Sequence, residues 1–169
     1  MLITLFTDAS FSRRHGRGTW AAWFKANGAT FRFSGIIRAQ LTQSGDAELA
    51  ALANGLVCVV RTLAPSANDK IIAQLDSAEA IGAVRFHNHP RPYVQAVLGH
   101  IAELRKRCGF ALDLRHVKGH RGDDTPRSAV NSWCDKECRR RMGELLASLA
   151  RSADEQQTEG DHDARLSNQ

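Results

Sequence analysis

The chain has 169 residues and a net charge of +5, a length that suits one domain with a sizeable hydrophobic core. No apolar run approaches membrane-spanning length, and the first apolar stretch is short, lacks a basic start and contains Asp8, so we expect no signal peptide. We therefore expect a cytoplasmic protein that makes no membrane contact.

The charge is unevenly distributed along the chain. Residues 151–169 hold five acidic and two basic side chains, so the rest of the chain carries a net +8. Surplus lysine and arginine are the usual electrostatic feature of nucleic-acid binding, although many basic proteins bind nothing specific. A polyanion is the favoured partner.

The cysteines indicate a reducing compartment. They fall at apolar positions and lack the Cys-x-x-Cys spacing of metal or redox sites, so we expect buried, reduced thiols. They are Cys58, Cys108, Cys134 and Cys138.

The first part of the chain predicts three strands. Leu2–Thr7 is a short apolar run, which indicates a buried strand that ends just before Asp8. A hairpin is predicted from the two strands Thr19–Ala26 and Thr30–Ile36, because Asn27-Gly28 between them tolerates the positive φ of a tight turn.

Helices and strands alternate in the rest of the chain. Apolar residues recur at helical spacing from Leu49 to Leu63, and Ser44 and Asp46 are candidate N-cap residues for this helix. The later predicted elements are a strand at Lys70–Leu75, a short helix after Ser77, a helix from about Val94 to Cys108, a strand at Phe110–Val117 and a helix from about Ser128 to Leu149.

This order predicts an α/β fold. Three meandering strands followed by alternating helices and strands imply a mixed sheet with helices packed on its faces. We expect residues 1–150 to form one domain. Residues 151–169 have almost no apolar content and are expected to be a disordered acidic tail.

Four carboxylates fall where the sheet and helices could bring them to one point. Asp8 and Asp76 each follow a predicted strand, Glu48 lies near the start of a helix, and Asp135 lies on the last helix. Taken singly, each has an ordinary explanation as a strand-end, helix-dipole or ion-pair residue. Four acids in one buried site would resist ionisation unless cations lay among them. The cluster therefore predicts hard divalent metal and, in a basic protein, phosphate chemistry.

Five motifs contain or lie close to these carboxylates. They are, in chain order, Thr7-Asp8-Ala9-Ser10, Asp46-Ala47-Glu48-Leu49-Ala50-Ala51-Leu52, Leu75-Asp76-Ser77, His116-Val117-Lys118-Gly119-His120 and Asn131-Ser132-Trp133-Cys134-Asp135. In this order they resemble type 1 ribonuclease H. The resemblance covers about residues 1–150 and implies a ribonuclease H-like mixed five-stranded sheet, with three antiparallel strands and then alternating helices and strands.

The resemblance implies an endonuclease that cleaves the RNA strand of an RNA–DNA hybrid with two Mg²⁺ ions, for which Mn²⁺ could substitute, and leaves 5′-phosphate and 3′-hydroxyl ends. Asp8 would bridge both ions, Asp135 would hold the ion on the water side, and Glu48 and Asp76 the ion on the leaving-group side. His120 would assist proton movement or product departure. The candidate substrate-binding residues are Ser10, Gln43, Ser44 and Asn131, together with Arg13 and Lys118, which charge and position alone suggest as phosphate contacts.

The chain departs from the family pattern in the residues that recognise the hybrid. Polar amides usually precede the helix glutamate, but here that stretch is Gln43-Ser44-Gly45-Asp46, so only Gln43 and Ser44 remain as candidates for contacting the minor groove. Ala9 replaces a common glycine, Ala78 replaces a common glutamine, and residues 79–93 are too short for the basic handle of many members. We expect a monomer, with a possible protein partner for the tail.

Two alternatives to hybrid cleavage remain. One is a related nuclease of the same superfamily that acts on branched DNA. The other is a hybrid-binding module that has lost catalysis.

Overall fold

A computed structural model describes residues 1–87, 89–117 and 126–166 of the chain. The described residues form five strands, β1 (Leu2–Ser12), β2 (Arg17–Ala26), β3 (Ala29–Ile37), β4 (Lys70–Leu75) and β5 (Ala111–His116). They also form four helices, α1 (Ser44–Leu63), α2 (Ala78–Phe86), α3 (Pro92–Cys108) and α4 (Pro126–Leu166). The predicted order of elements is confirmed.

The strands form one mixed sheet in the order β3-β2-β1-β4-β5. β1 and β3 both pair with β2 in antiparallel fashion, whereas β1–β4 and β4–β5 are parallel. Asn27 and Gly28 join β2 to β3 with φ values of 49° and 81°. Both are in the left-handed region that a tight hairpin turn needs, so the predicted hairpin is confirmed.

The helices cover opposite faces of the sheet. Alternate side chains of a strand point to opposite faces, and Ile3 and Leu5 of β1 lie in the main core with α1 and α3, whereas Phe6 packs against Cys134 and Cys138 of α4. β1 is therefore buried between two helical layers, which explains why its sequence is a nearly continuous apolar run.

A glycine allows α1 to approach β1 closely. A Cβ at Gly55 would lie 2.7 Å from the Cγ2 atom of Thr7, closer than non-bonded carbon atoms can pack. The absence of a side chain at residue 55 therefore sets the distance between this helix and the strand that carries Asp8.

Three differences from the predicted element boundaries have a clear physical cause. β1 continues to Ser12, because its residues beyond Thr7 pair with β2 as far as Arg17. The N-cap of α1 is Gln43 rather than Ser44 or Asp46; the carboxylate of Asp46 instead accepts hydrogen bonds from the backbone N–H and the hydroxyl of Thr42.

The third difference is the length of α4. Its helical backbone extends to Leu166, well past the end predicted near Leu149. The prediction relied on apolar periodicity, but alanine, glutamate, glutamine and arginine favour helix even where nothing is buried, and residues 147–157 are rich in them. The domain boundary at residue 150 stays a prediction.

Other expectations concern the cysteines and the chain between α2 and α3. The four cysteines are free thiols, of which Cys134 and Cys138 are buried.

Only residues 87–91 separate α2 from α3, so the inserted basic handle is absent there. None of the described helices combines the length and apolar character needed to cross a membrane.

Candidate active site

Two parallel strands bring Asp8 and Asp76 together. β1 and β4 pair with Phe6 opposite Gln74, so the two aspartates, each two residues further along, follow side by side. Glu48 comes from the second turn of α1. One carboxylate oxygen from each of these three residues lies within 4.8 Å of the other two. The structure therefore brings three of the four predicted carboxylates into one cluster.

Asp135 lies beside this cluster. Its charge is among the influences that raise the pKa of Asp8, which indicates that the two carboxylates are near neighbours. The Oδ1 atom of Asp135 also forms a salt bridge with Nε of Arg139, 2.9 Å away and one helical turn further along α4. The fourth predicted carboxylate is thus near Asp8, and its charge is partly offset by Arg139.

The electrostatics of the cluster are unfavourable without a cation. Burial, followed by the charge of Asp76, raises the pKa of Asp8 from 3.8 to about 7, although the backbone N–H of Ala9 donates a 2.9 Å hydrogen bond to its Oδ1. Burial and the charges of Asp8 and Asp76 likewise raise the pKa of Glu48 well above its usual range. Uncompensated desolvation and like-charge repulsion are the physical causes.

One oxygen of the cluster lacks a partner. Oε2 of Glu48 is buried, and no described residue donates a hydrogen bond to it. Buried carboxylate oxygens normally have a hydrogen-bond donor or a metal ion to offset the loss of water. Three converging carboxylates supply the hard oxygen ligands that Mg²⁺ prefers. The residues present therefore fit a divalent cation.

The neighbouring thiols do not belong to the ligand set. Burial raises the pKa of Cys134 and of Cys138 well above the usual range, so both stay protonated. The Sγ atom of Cys138 instead donates a hydrogen bond to the backbone carbonyl of Asp8, 3.0 Å away. These cysteines anchor α4 against β1 rather than bind metal.

The predicted substrate-binding residues on β1 and α4 lie on elements that carry the cluster. Ser10 is two residues after Asp8 on β1, and therefore on the same face of the sheet. Asn131 lies one helical turn before Asp135 on α4. Arg13 is exposed in the turn between β1 and β2. Their role in substrate binding stays a prediction.

Two further predicted residues lie at the start of α1. Gln43 is its N-cap, and its Nε2 donates a 3.0 Å hydrogen bond to Oε1 of Glu79. Ser44 is the first helical residue and is exposed. Lys118 and His120, together with Arg121, lie outside the described residues.

A polar network that the sequence did not predict lies beside these residues. Asp46 is only 2% exposed, and Arg91 forms salt bridges with both Asp46 and Glu79, the latter at 3.3 Å. Glu79 in turn accepts a hydrogen bond from the side-chain amide of Gln43. No sequence signal links residues so far apart. Arg139 was also missed, although its spacing of four from Asp135 is that of a helical ion pair.

Solved structures resemble this one, whereas no protein-family model and no curated protein matches the sequence. An RNase H1 isolated from compost by a metagenomic approach is 16% identical, with a TM-score of 0.66 over 85% of this chain and 97% of that chain. A crystal structure of that enzyme in complex with an RNA/DNA hybrid gives a TM-score of 0.69 at 16% identity, over 85% and 99%. The N-terminal RNase H domain of a Mycobacterium tuberculosis protein gives 0.68 at 15% identity, over 88% and 98%.

This chain has the ribonuclease H fold. At such low identities the likeness concerns the fold alone, and it confirms the predicted mixed sheet with its helical layers. Within the ribonuclease H fold of this chain, the carboxylate cluster lies where the two central parallel strands end, a common position for sites in sheets of this kind.

Proposed function

We propose that this protein is a metal-dependent endonuclease that hydrolyses the RNA strand of RNA–DNA hybrids. The observation that carries the proposal is the cluster of Asp8, Glu48 and Asp76, with carboxylate oxygens within 4.8 Å of one another on a ribonuclease H fold. A protein that only bound nucleic acid would gain nothing from negative charges crowded beside a phosphate backbone.

The carboxylates would hold two Mg²⁺ ions. Asp8 interacts electrostatically with each of the other three carboxylates, Asp76, Glu48 and Asp135, and it would contact both ions. Asp135 would hold the ion on the water side, with Glu48 and Asp76 holding the other. Bound divalent ions lower the pKa of an attacking water and offset the charge on the leaving 3′ oxygen. The products would carry 5′-phosphate and 3′-hydroxyl ends.

Substrate preference would come from residues around the cluster. Glu48 would lie near the RNA 2′-hydroxyl, the group that distinguishes RNA from DNA. Ser10, Gln43, Ser44 and Asn131 would contact the hybrid around the cleaved bond. The net +8 up to residue 150 would attract the phosphate backbone. One of the similar structures was solved with an RNA/DNA hybrid.

The test is cleavage of an end-labelled RNA–DNA hybrid in Mg²⁺, beside single-stranded RNA, duplex RNA, duplex DNA and a four-way DNA junction. We expect cutting of the RNA strand of the hybrid alone, and none by Asp8→Asn. Asp113→Asn is the matched control, because it removes a carboxylate on β5 that pairs with Lys70 and Arg115 instead.

Each rival function has its own outcome in this assay. Cutting of the junction alone would establish the branched-DNA nuclease and refute the hybrid assignment. Hybrid binding without cutting would identify a binding module. Full activity of Asp8→Asn would refute the metal-site assignment.

A further inference from the structure

The sheet face that carries α4 is only partly covered by this helix. Strand pairing arranges the side chains of this face in rows across the sheet. The Asp8 row lies under α4, because Asp8 aligns with Ala21 and Ser34, and the Ser34 hydroxyl donates a hydrogen bond to Glu137 of α4. The next two rows are Arg32, Trp23, Phe6, Gln74 and Arg115, and then Thr30, Lys25, Thr4, Ile72 and Asp113.

A cavity of about 390 Å³ lies over these two rows. Phe6, Trp23 and Ile72 contribute its apolar floor, and Arg127 and Val130 in the first turns of α4 form a wall. Trp23 is half-buried and meets Phe6 edge to face, with ring centroids 5.8 Å apart. The volume is within the range of small-molecule sites, roughly 300–1,000 Å³.

The charged side chains that line this cavity are cations, whereas the carboxylate at the end of the second row, Asp113, pairs with Lys70 and Arg115. Lys25, Arg115 and Arg127 line it, and no carboxylate of the described residues does. Arg115 is already paired with Asp113, at 2.9 Å. In the part of the chain that the structure describes, neither Lys25 nor Arg127 forms a salt bridge, and both are exposed. Two free cations therefore flank an aromatic floor.

We propose that this cavity binds a nucleotide, either a free nucleoside monophosphate or the terminal nucleotide of a single-stranded RNA. The base would lie against Trp23 and the phosphate would be held by Lys25 and Arg127. Every base has a π face that can stack on an aromatic side chain, and cations beside that side chain are the arrangement typical of single-strand binding. The pocket is separate from the carboxylate cluster, so it does not depend on the proposed cleavage activity.

The test is titration of the full chain with uridine 5′-monophosphate and with a 5′-phosphorylated uridine tetranucleotide, followed by calorimetry and by the indole N–H resonance of Trp23. A chelator is present throughout, so that bound metal at the carboxylate cluster does not contribute. The variant Lys25→Ala/Arg127→Ala removes the two free cations. Lys106→Ala/Arg107→Ala is the matched control, because it removes one lysine and one arginine from the exposed end of α3.

We expect a saturable shift of the Trp23 resonance, and binding about tenfold weaker in Lys25→Ala/Arg127→Ala but unchanged in the control, since two phosphate contacts are lost. Binding of the mononucleotide would identify a free nucleotide as ligand, and binding of the tetranucleotide alone would identify a strand end. Either result supports the pocket. No shift of Trp23 with either probe, equal affinity in the two double variants, or equally tight binding of inorganic phosphate would overturn it.

Discussion

The thiol of Cys138 in α4 donates a hydrogen bond to the backbone carbonyl of Asp8 in β1, with Sγ and oxygen 3.0 Å apart. The carbonyl of the same cysteine accepts a 2.8 Å hydrogen bond from the hydroxyl of Thr19 in β2. One residue thus joins α4 to two central strands, three positions after Asp135. This junction determines how close Asp135 comes to Asp8.

The first prediction concerns that junction. Cys138→Ala removes the hydrogen bond to Asp8 and leaves a small cavity at a fully buried position. We expect the free energy of unfolding to fall by about 1–2 kcal/mol in urea denaturation. Cys58→Ala, at a half-buried thiol in α1, is the control and should cost less. An equal loss in both variants would show that the hydrogen bond contributes nothing.

The second prediction is that the metal-free protein becomes less stable as the pH rises from about 4 to about 7. The pKa of Asp8 is raised from 3.8 to about 7 in the folded state, so in this range the folded protein retains a proton that the unfolded chain has lost. Stability then falls with rising pH, by about 1.4 kcal/mol per pKa unit and on the order of 4 kcal/mol in all. The raised pKa of Glu48 acts in the same direction.

Thermal unfolding in chelator at successive pH values measures this slope. Asp8→Asn should lose the part of the slope that Asp8 contributes and keep a part from the buried Glu48, and it should be more stable than the wild type at pH 8. Because divalent ions bind the ionised carboxylates, Mg²⁺ should raise the Tm more at pH 8 than at pH 5. A wild-type Tm that climbs through this range without metal would contradict the raised pKa of Asp8.

The third prediction concerns Arg139. Its guanidinium pairs with Asp135 and lowers the pKa of Asp8, so it competes with metal for the negative charge of the site. Arg139→Ala should therefore bind Mg²⁺ more tightly, by a factor of about 2–5, the modest amount that an exposed ion pair is worth. Arg140→Ala is the control, since Arg140 pairs with Glu137 and Glu144. Calorimetric titration with Mg²⁺ would decide, and weaker binding by Arg139→Ala would refute the competition.

The fourth prediction concerns the salt bridge between Arg91 and Asp46. Because Asp46 is buried and Arg91 is its ion-pair partner, Arg91→Ala leaves a buried charge unpaired and should cost about 3–5 kcal/mol of stability. Adding Asp46→Asn to that variant should restore part of the loss, because the uncompensated charge is gone. Denaturant unfolding of the two single variants and the double variant measures the coupling. Arg107→Ala, at an exposed position of α3, should have almost no effect.

The sequence predicted the sheet and most of the site because their signals are local. The turn at Asn27-Gly28 needs only two residues, and the meeting of Asp8 with Asp76 follows from two apolar strands whose carboxyl ends share one edge of a sheet. The salt bridge of Asp46 with Arg91 joins residues 45 positions apart. This salt bridge depends on how α1 and α3 pack against each other, and the apolar periodicity of the sequence does not indicate that packing.

The position of Asp135 was predictable only in part. Its helix could be read from apolar spacing, but its distance from the other carboxylates depends on buried contacts such as those of Cys138 and Thr19. The pocket beneath the start of α4 was not predictable at all, because Lys25, Trp23 and Arg127 meet there only through strand register and helix placement.

The last prediction is that affinity for an RNA–DNA hybrid depends steeply on salt. The chain up to residue 150 carries a net +8, and no basic handle is inserted between α2 and α3 to concentrate that charge. Binding then relies on many diffuse phosphate contacts, each of which releases a counterion from the nucleic acid. Measured with Asp8→Asn in chelator, so that the hybrid stays intact, affinity should fall at least about tenfold between about 50 and 200 mM NaCl. A flat affinity over this range would mean that hydrogen bonds to bases and sugars, rather than the charge of the body, hold the hybrid.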